Sequence, residues 1–289
     1  MKICSRCGTA FSGTAWKCPA CNDEPAYSGG VRSFLAGAEQ AAPAYDAAYY
    51  EKLAALEEGN FWFRSRTRLI LDALERHAPG AGRYLEVGCG TGLVLAAVAA
   101  RFPRMSLVGS DMHRAGLAFA ARRVPGAELY LMDARRMPFD GEFDALGAFD
   151  VLEHMEQDVE ALRQMHRALA DGGRLIVTVP NHPSLWSRTD ELAQHVRRYD
   201  RSGLRAKVEQ AGFTVERMTA FVSLLLPLMA LSRLVRRGAR EGDAVMDELR
   251  VGRVTNAVLG GVLGLERRLI RLGADLPAGG SLLLVARKA

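Results

Sequence analysis

The chain has 289 residues, 49% of them hydrophobic and 25% charged, with a formal charge of +5 and a pI near 9.1. That balance supplies a sizeable core, and no apolar run in this sequence reaches the roughly 18 residues of a membrane-spanning helix. The modest positive charge permits attraction to nucleic acid or anionic lipid without requiring it.

The chain opens on cysteines. Met1-Lys2-Ile3 leads directly into Cys4, and Cys4, Cys7, Cys18 and Cys21 form two C-x-x-C pairs with ten residues between them. Two such knuckles supply four thiolates for a closed tetrahedral zinc site, with Gly8 and Pro19 at positions usual for zinc-ribbon turns. Two disulfides are the alternative reading. The absence of a leader segment points to a reducing, cytoplasmic location, which favours Zn²⁺ in a structural role. Residues 1–24 are therefore expected to form a zinc ribbon. Residues 25–44, rich in Ala, Gly, Ser and Pro, read as a linker, and 45–289 as one large domain.

From Tyr45 to His77 the pattern is helical, with the aromatic cluster Phe61-Trp62-Phe63 and Arg66 at its centre. Tyr84 to Val87 then runs an apolar strand containing Glu86 into Gly88-Cys89-Gly90-Thr91-Gly92. Glycines there allow a tight turn, let a ligand approach the backbone, and present free amides at a helix N-terminus. A second strand, 105–111, ends at Asp111, about 20 residues on, where a ribose diol is gripped in a doubly wound sheet. A third, 127–132, leads to Asp133-Ala134. Strands are further expected at 143–149, 173–180 and 213–220, with helices at 92–102, 113–123, 156–170 and 201–211; this alternation makes a parallel sheet with crossover helices.

This set resembles the class I S-adenosylmethionine-dependent methyltransferases over roughly residues 43 to 220 plus the last strand. The resemblance implies an α/β, Rossmann-like, doubly wound and mostly parallel seven-stranded sheet whose last strand, Gly280 to Lys288, is antiparallel. It also implies that S-adenosyl-L-methionine is held by Glu86, Gly88, Gly90 and Gly92, with Cys89 as a small side chain beneath it. Asp111, beside Met112, would bind the ribose, and Asp133, beside Ala134, would lie by the adenine. Phe61 and Trp62 would lid the cofactor, Arg66 would pair with its carboxylate, and Phe149 and Val151 at the end of the fourth strand would touch it. Nicotinamide dehydrogenases share the sheet, but their loop favours glycine where this chain has Leu93.

Methyl transfer needs alignment and, for a protonated acceptor, a base. His154 is a candidate because its ordinary pKa lies near neutrality. His195 and Tyr199, beyond the fifth strand, are candidate acceptor contacts. A helical insertion, about 221–279, separates the sixth and last strands. It carries an apolar run (Val222 to Leu231), then Arg233, Arg236, Arg237 and Arg240, then a stripe of Val254, Val258, Leu265 and Leu269. It reads as packing or homodimer contact, as the wall of a pocket for a small apolar or lipid-like acceptor, or as peripheral membrane contact through 221–240. The alternative acceptor is ribosomal RNA, since a bacterial guanine methyltransferase family also joins a four-cysteine module to this fold. The ribbon's few bases (Lys2, Arg6, Lys17), with Phe11 and Trp16 for stacking, make a thin RNA footprint.

Overall fold

The computed structural model describes residues 1–35, 47–229, 231 and 251–289. In chain order the strands are β1 (Lys2–Ile3), β2 (Ala10–Phe11), β3 (Tyr27–Ser28), β4 (Val31–Ser33), β5 (Arg83–Val87), β6 (Ser106–Asp111), β7 (Glu128–Leu131), β8 (Phe143–Phe149), β9 (Leu169–Pro180), β10 (Phe213–Phe221) and β11 (Ser281–Lys288). The helices are α1 (Ala47–Glu57), α2 (Phe61–His77), α3 (Leu93–Arg101), α4 (Arg114–Arg123), α5 (Asp158–Ala168), α6 (Arg188–Leu192), α7 (Arg201–Gln210) and α8 (Arg253–Arg271).

β5 and β11 show why the sheet is the core. Alternate residues point to opposite faces of a strand, and both faces here are apolar. Leu85, Val87, Leu282, Leu284 and Ala286 pack with α5 and α7 on one side. Tyr84, Leu283 and Val285 pack with α2, α3, α4 and α8 on the other. The sheet runs β10-β11-β9-β8-β5-β6-β7-β4-β3. Neighbours from β9 through β4 are parallel, and β11 is antiparallel to both β9 and β10.

The sheet therefore has nine strands where seven were expected. The extra pair comes from residues 27–33, which composition reads as linker. Val31–Ser33 pairs in parallel with β7, and Tyr27–Ser28 folds back on it. The turn between them is Gly29-Gly30, both at positive φ (60° and 78°), the geometry of a type I′ hairpin.

The ribbon is docked on the same edge. Trp16 is buried against Phe34, Tyr130 and Phe139 at ring separations of 4.6, 5.6 and 5.7 Å. Ile3 N–H donates to Pro138 O at 2.9 Å.

In the insertion, α8 lies along α2. Asn256 accepts from Phe61 N–H at 2.8 Å and donates to Gly59 O at 2.9 Å, while Leu263, Glu266 and Ile270 are buried. Glu266 accepts from the N–H groups of Val222, Ser223 and Leu224 at 2.6 to 2.9 Å, holding the turn after β10. The stripe of Val254, Val258, Leu265 and Leu269 is the opposite, outward face, 79%, 60%, 54% and 40% exposed in turn. Arg233, Arg236, Arg237 and Arg240 lie outside the described residues. Among the described residues no helix is long and apolar enough to cross a membrane.

Candidate active site and cysteine cluster

β5 delivers the glycine loop with Gly88, Gly90 and Gly92 all at positive φ. At Gly88 a Cβ would stand 2.4 Å from Val151 Cγ2, and at Gly92 2.9 Å from Ala120 Cα, so those two positions accept only glycine without rearrangement. Asp111 Oδ2 accepts from Gly90 N–H at 2.9 Å, and Oδ1 accepts from His113 N–H at 2.8 Å. Thr91 Oγ1 donates to the buried Glu57 carboxylate at 2.6 and 2.8 Å. Arg123 pairs with the same carboxylate, so α1 is tied down over the loop.

Beside the loop opens a cavity of about 620 Å³. Phe61, Trp62 and Arg66 from α2, Glu86, Gly88, Cys89 and Gly90 from the loop, and Phe149 from β8 all line it. Val222, Leu225, Leu228, Met229 and Leu259 form an apolar wall, and Asp190, His195 and Arg198 a polar one. Burial pushes Glu86 up to about 8, with Arg66 pulling the other way. Its Oε2 is buried without a hydrogen-bond partner.

Arg66 itself departs from expectation. Its Nε lies 2.7 Å from Asp150 Oδ2 and its Nη2 donates to Phe149 O at 2.9 Å, so the guanidinium is already engaged. Asp150 holds a positive φ of 57°, a strained conformation of the kind that persists where surrounding structure enforces it.

Gly92, Asp111, Met112, Asp133, Ala134 and Val151 do not line the cavity. Asp111 braces the loop from behind. Burial alone would raise the Asp133 pKa, but hydrogen bonds from the Arg135 guanidinium and amide lower it. Tyr199 does not line the cavity either: it is buried, donating to Asp158 Oδ2 at 2.7 Å.

Nor does His154 line the cavity; it stands beside the polar end, edge to face with His195 at a ring-centroid separation of 4.8 Å. Desolvation, then the neighbouring His195, push the His154 imidazole down to about 4, although its outer edge is open to solvent. His195 Nδ1 lies 3.0 Å from Asp190 Oδ1. Asp190 also accepts from Ser187 N–H at 2.8 Å and from Arg198 at 2.7 Å. Burial opposes ionisation of Asp190, but His195 and Arg198 hold its pKa well below the usual range.

In the ribbon, Gly8 N–H donates to Cys4 O and Asn22 N–H to Cys18 O, both at 2.9 Å, with Gly8 and Asn22 at positive φ. The two knuckles are thus alike. Cys4 and Cys21 sulfurs are 3.6 Å apart, as are those of Cys7 and Cys18. Disulfides need about 2.0 Å; sulfurs at about 2.3 Å from one tetrahedral ion stand roughly 3.8 Å apart. All four cysteines are free thiols converging on one point.

A family model described as "Methyltransferase domain" matches residues 60–217, more than half of the chain. The chain belongs to the S-adenosylmethionine-dependent methyltransferases. A probable S-adenosylmethionine-dependent methyltransferase of Mycolicibacterium smegmatis is 29% identical over 56% of this chain and 62% of its own length. A trans-aconitate 2-methyltransferase of Methylobacterium nodulans is 32% identical over 48% of this chain and 50% of its own. The chain thus spans less than two thirds of the length of these curated relatives. Phosphoethanolamine N-methyltransferase 2 of Haemonchus contortus, solved with S-adenosyl-L-methionine, shares the fold with a TM-score of 0.57 at 19% identity, over 88% of this chain and 60% of that one.

Sequence reasoning gave no role to Asp150, Glu153, Asp190 or Arg198, all of which line the cavity. For Asp190 a signal was present: Ser187 three residues earlier forms a capping box with it.

Proposed function

We infer that this methyltransferase transfers a methyl group to a small acceptor with apolar character, seated between the glycine loop and the insertion. The observation that carries this is one continuous cavity bordered by the glycine loop, by Leu225, Leu228, Met229 and Leu259, and by His195. The residues suit S-adenosylmethionine: the buried, unpartnered Glu86 oxygen is the kind of atom an ammonium satisfies, and the glycine loop exposes backbone to a ligand. Glu86, Gly88, Gly90 and Cys89 would hold the methionine end, with Phe61 and Trp62 above it. Asp111 and Asp133 are assigned to the ribose and adenine, the former after release of Gly90. Bound there, the cofactor supplies an electrophilic methyl group.

The chain's own part is alignment and exclusion of water by the aromatic lid and apolar wall. His154 and His195 are assigned to the acceptor's nucleophile. Residues 1–24 are read as a Zn²⁺-bound appendage on a catalytic domain whose sheet already includes residues 27–33, in a reducing compartment such as the cytoplasm. The RNA alternative loses one of its two stacking residues, since Trp16 is buried.

The test is calorimetry with S-adenosylmethionine, followed by methyl-transfer assays of apolar metabolites against structured RNA. Tight RNA binding at about 0.15 M salt, where phosphate-driven affinity has fallen steeply, with no turnover of apolar acceptors, would replace this reading by the alternative.

A further inference from the structure

We propose that Glu153, His154 and His195 form a binding site for a divalent transition-metal ion at the acceptor end of the cavity. The proposal stands independently of the acceptor's identity.

One carboxylate oxygen and two imidazole nitrogens, one from each residue, lie within 4.8 Å of one another. Opposed ligands of a single ion at about 2.1 Å stand roughly 4.2 Å apart, so small side-chain adjustments close the site. The strongest pointer is Glu153. It is fully buried and borders the cavity, yet neither carboxylate oxygen has a hydrogen-bond partner. An unpartnered buried carboxyl is costly, and a bound cation removes that cost.

The surroundings fit the same purpose. His195 presents Nδ1 to Asp190 at 3.0 Å, leaving Nε2 as the free ligand atom. Metal-binding histidines are commonly oriented in this way by a carboxylate behind the ring. Asp190 is itself fixed by Arg198. Glu153 and His154 sit on the single turn after β8, and Val196 N–H donates to Glu153 O at 2.8 Å, joining that turn to the His195 loop.

The donor set selects the ion. Two imidazoles and one carboxylate suit first-row divalent metals over Mg²⁺ or Ca²⁺. Three protein ligands leave positions open, unlike the four-cysteine cluster, whose ligands are complete. An acceptor oxygen bound at an open position would have its pKa lowered, its proton passing to solvent. The inference therefore favours acceptors that present an oxygen donor.

The experiment titrates Mn²⁺ into the full-length protein purified with zinc on its cysteines, followed by electron paramagnetic resonance. Mn²⁺ prefers oxygen and nitrogen ligands to thiolates, so the ribbon does not compete. One equivalent of Mn²⁺ is expected. Glu153→Gln and His195→Ala should abolish it, and Asp190→Asn should weaken it by about 10- to 100-fold. Cofactor affinity and zinc content of Glu153→Gln should be unchanged, showing an intact fold. No Mn²⁺ bound at millimolar concentration, or binding that survives both ligand substitutions, overturns the proposal and leaves the histidines to proton transfer alone. Failure of cofactor binding instead would count against the methyltransferase reading.

Discussion

Gly88 carries the tightest steric constraint in the cavity, because its φ of 69° and its 2.4 Å clearance from Val151 Cγ2 act together. Gly88→Ala is expected to destabilise the protein by about 1–3 kcal/mol and to weaken S-adenosylmethionine binding; denaturant titration and calorimetry measure the two. Glu86 sets a pH dependence of determined sign. In the free enzyme its carboxyl keeps its proton up to about 8, whereas the unfolded chain loses it in the ordinary carboxylate range. Between those limits the folded state holds the extra proton, so this group's contribution to stability falls as pH rises. An ammonium placed against the carboxylate favours its ionised form. Cofactor binding at pH 7 should then release a proton and tighten toward pH 8. Calorimetry in two buffers of different ionisation enthalpy reads the release, and Glu86→Gln should remove it. Equal release from the variant would exclude Glu86 as the cofactor's partner.

At the level of elements, the turn after β10 depends on one side chain. Glu266 accepts three backbone N–H bonds there, and hydrogen bonds to a charged group contribute about 1.5–3 kcal/mol each. Glu266→Ala is expected to destabilise by at least about 3 kcal/mol and to raise KM for an acceptor resting on Val222 and Leu225; chemical denaturation and steady-state kinetics check this. Nothing in the sequence marks Glu266, which sits beside Arg267 and Arg268 and reads as one more solvated charge. The alternating strands and helices were legible because β5 to β11 are apolar runs bounded by turn residues. The β3–β4 hairpin was not, since strands of two and three residues show no period, although Gly29-Gly30 was a turn signal in plain view. The glycine loop and the cysteines were legible from spacing alone. Glu153 was not, because its surroundings arise from contacts between separate loops, and Asp190 was marked only by its capping-box spacing from Ser187.

For the molecule as a whole, the N-terminal segment is part of the structure it decorates. Trp16→Ala is expected to cost about 3–5 kcal/mol and to hasten loss of zinc, measured by denaturation and by release to a chelator dye. One equivalent of zinc should survive Glu153→Gln and disappear with Cys18→Ser, while cofactor binding persists; elemental analysis decides. The docking has a further consequence, for synthesis. Trp16 rests on Tyr130, 114 residues later in the chain, so the cysteine segment is made well before the surface that receives it. Burial cannot stabilise so short a segment in the interval, but metal binding can fold it. The four cysteines would then let this segment emerge as a finished part, keeping its apolar rings from straying until the β7 edge arrives to receive them.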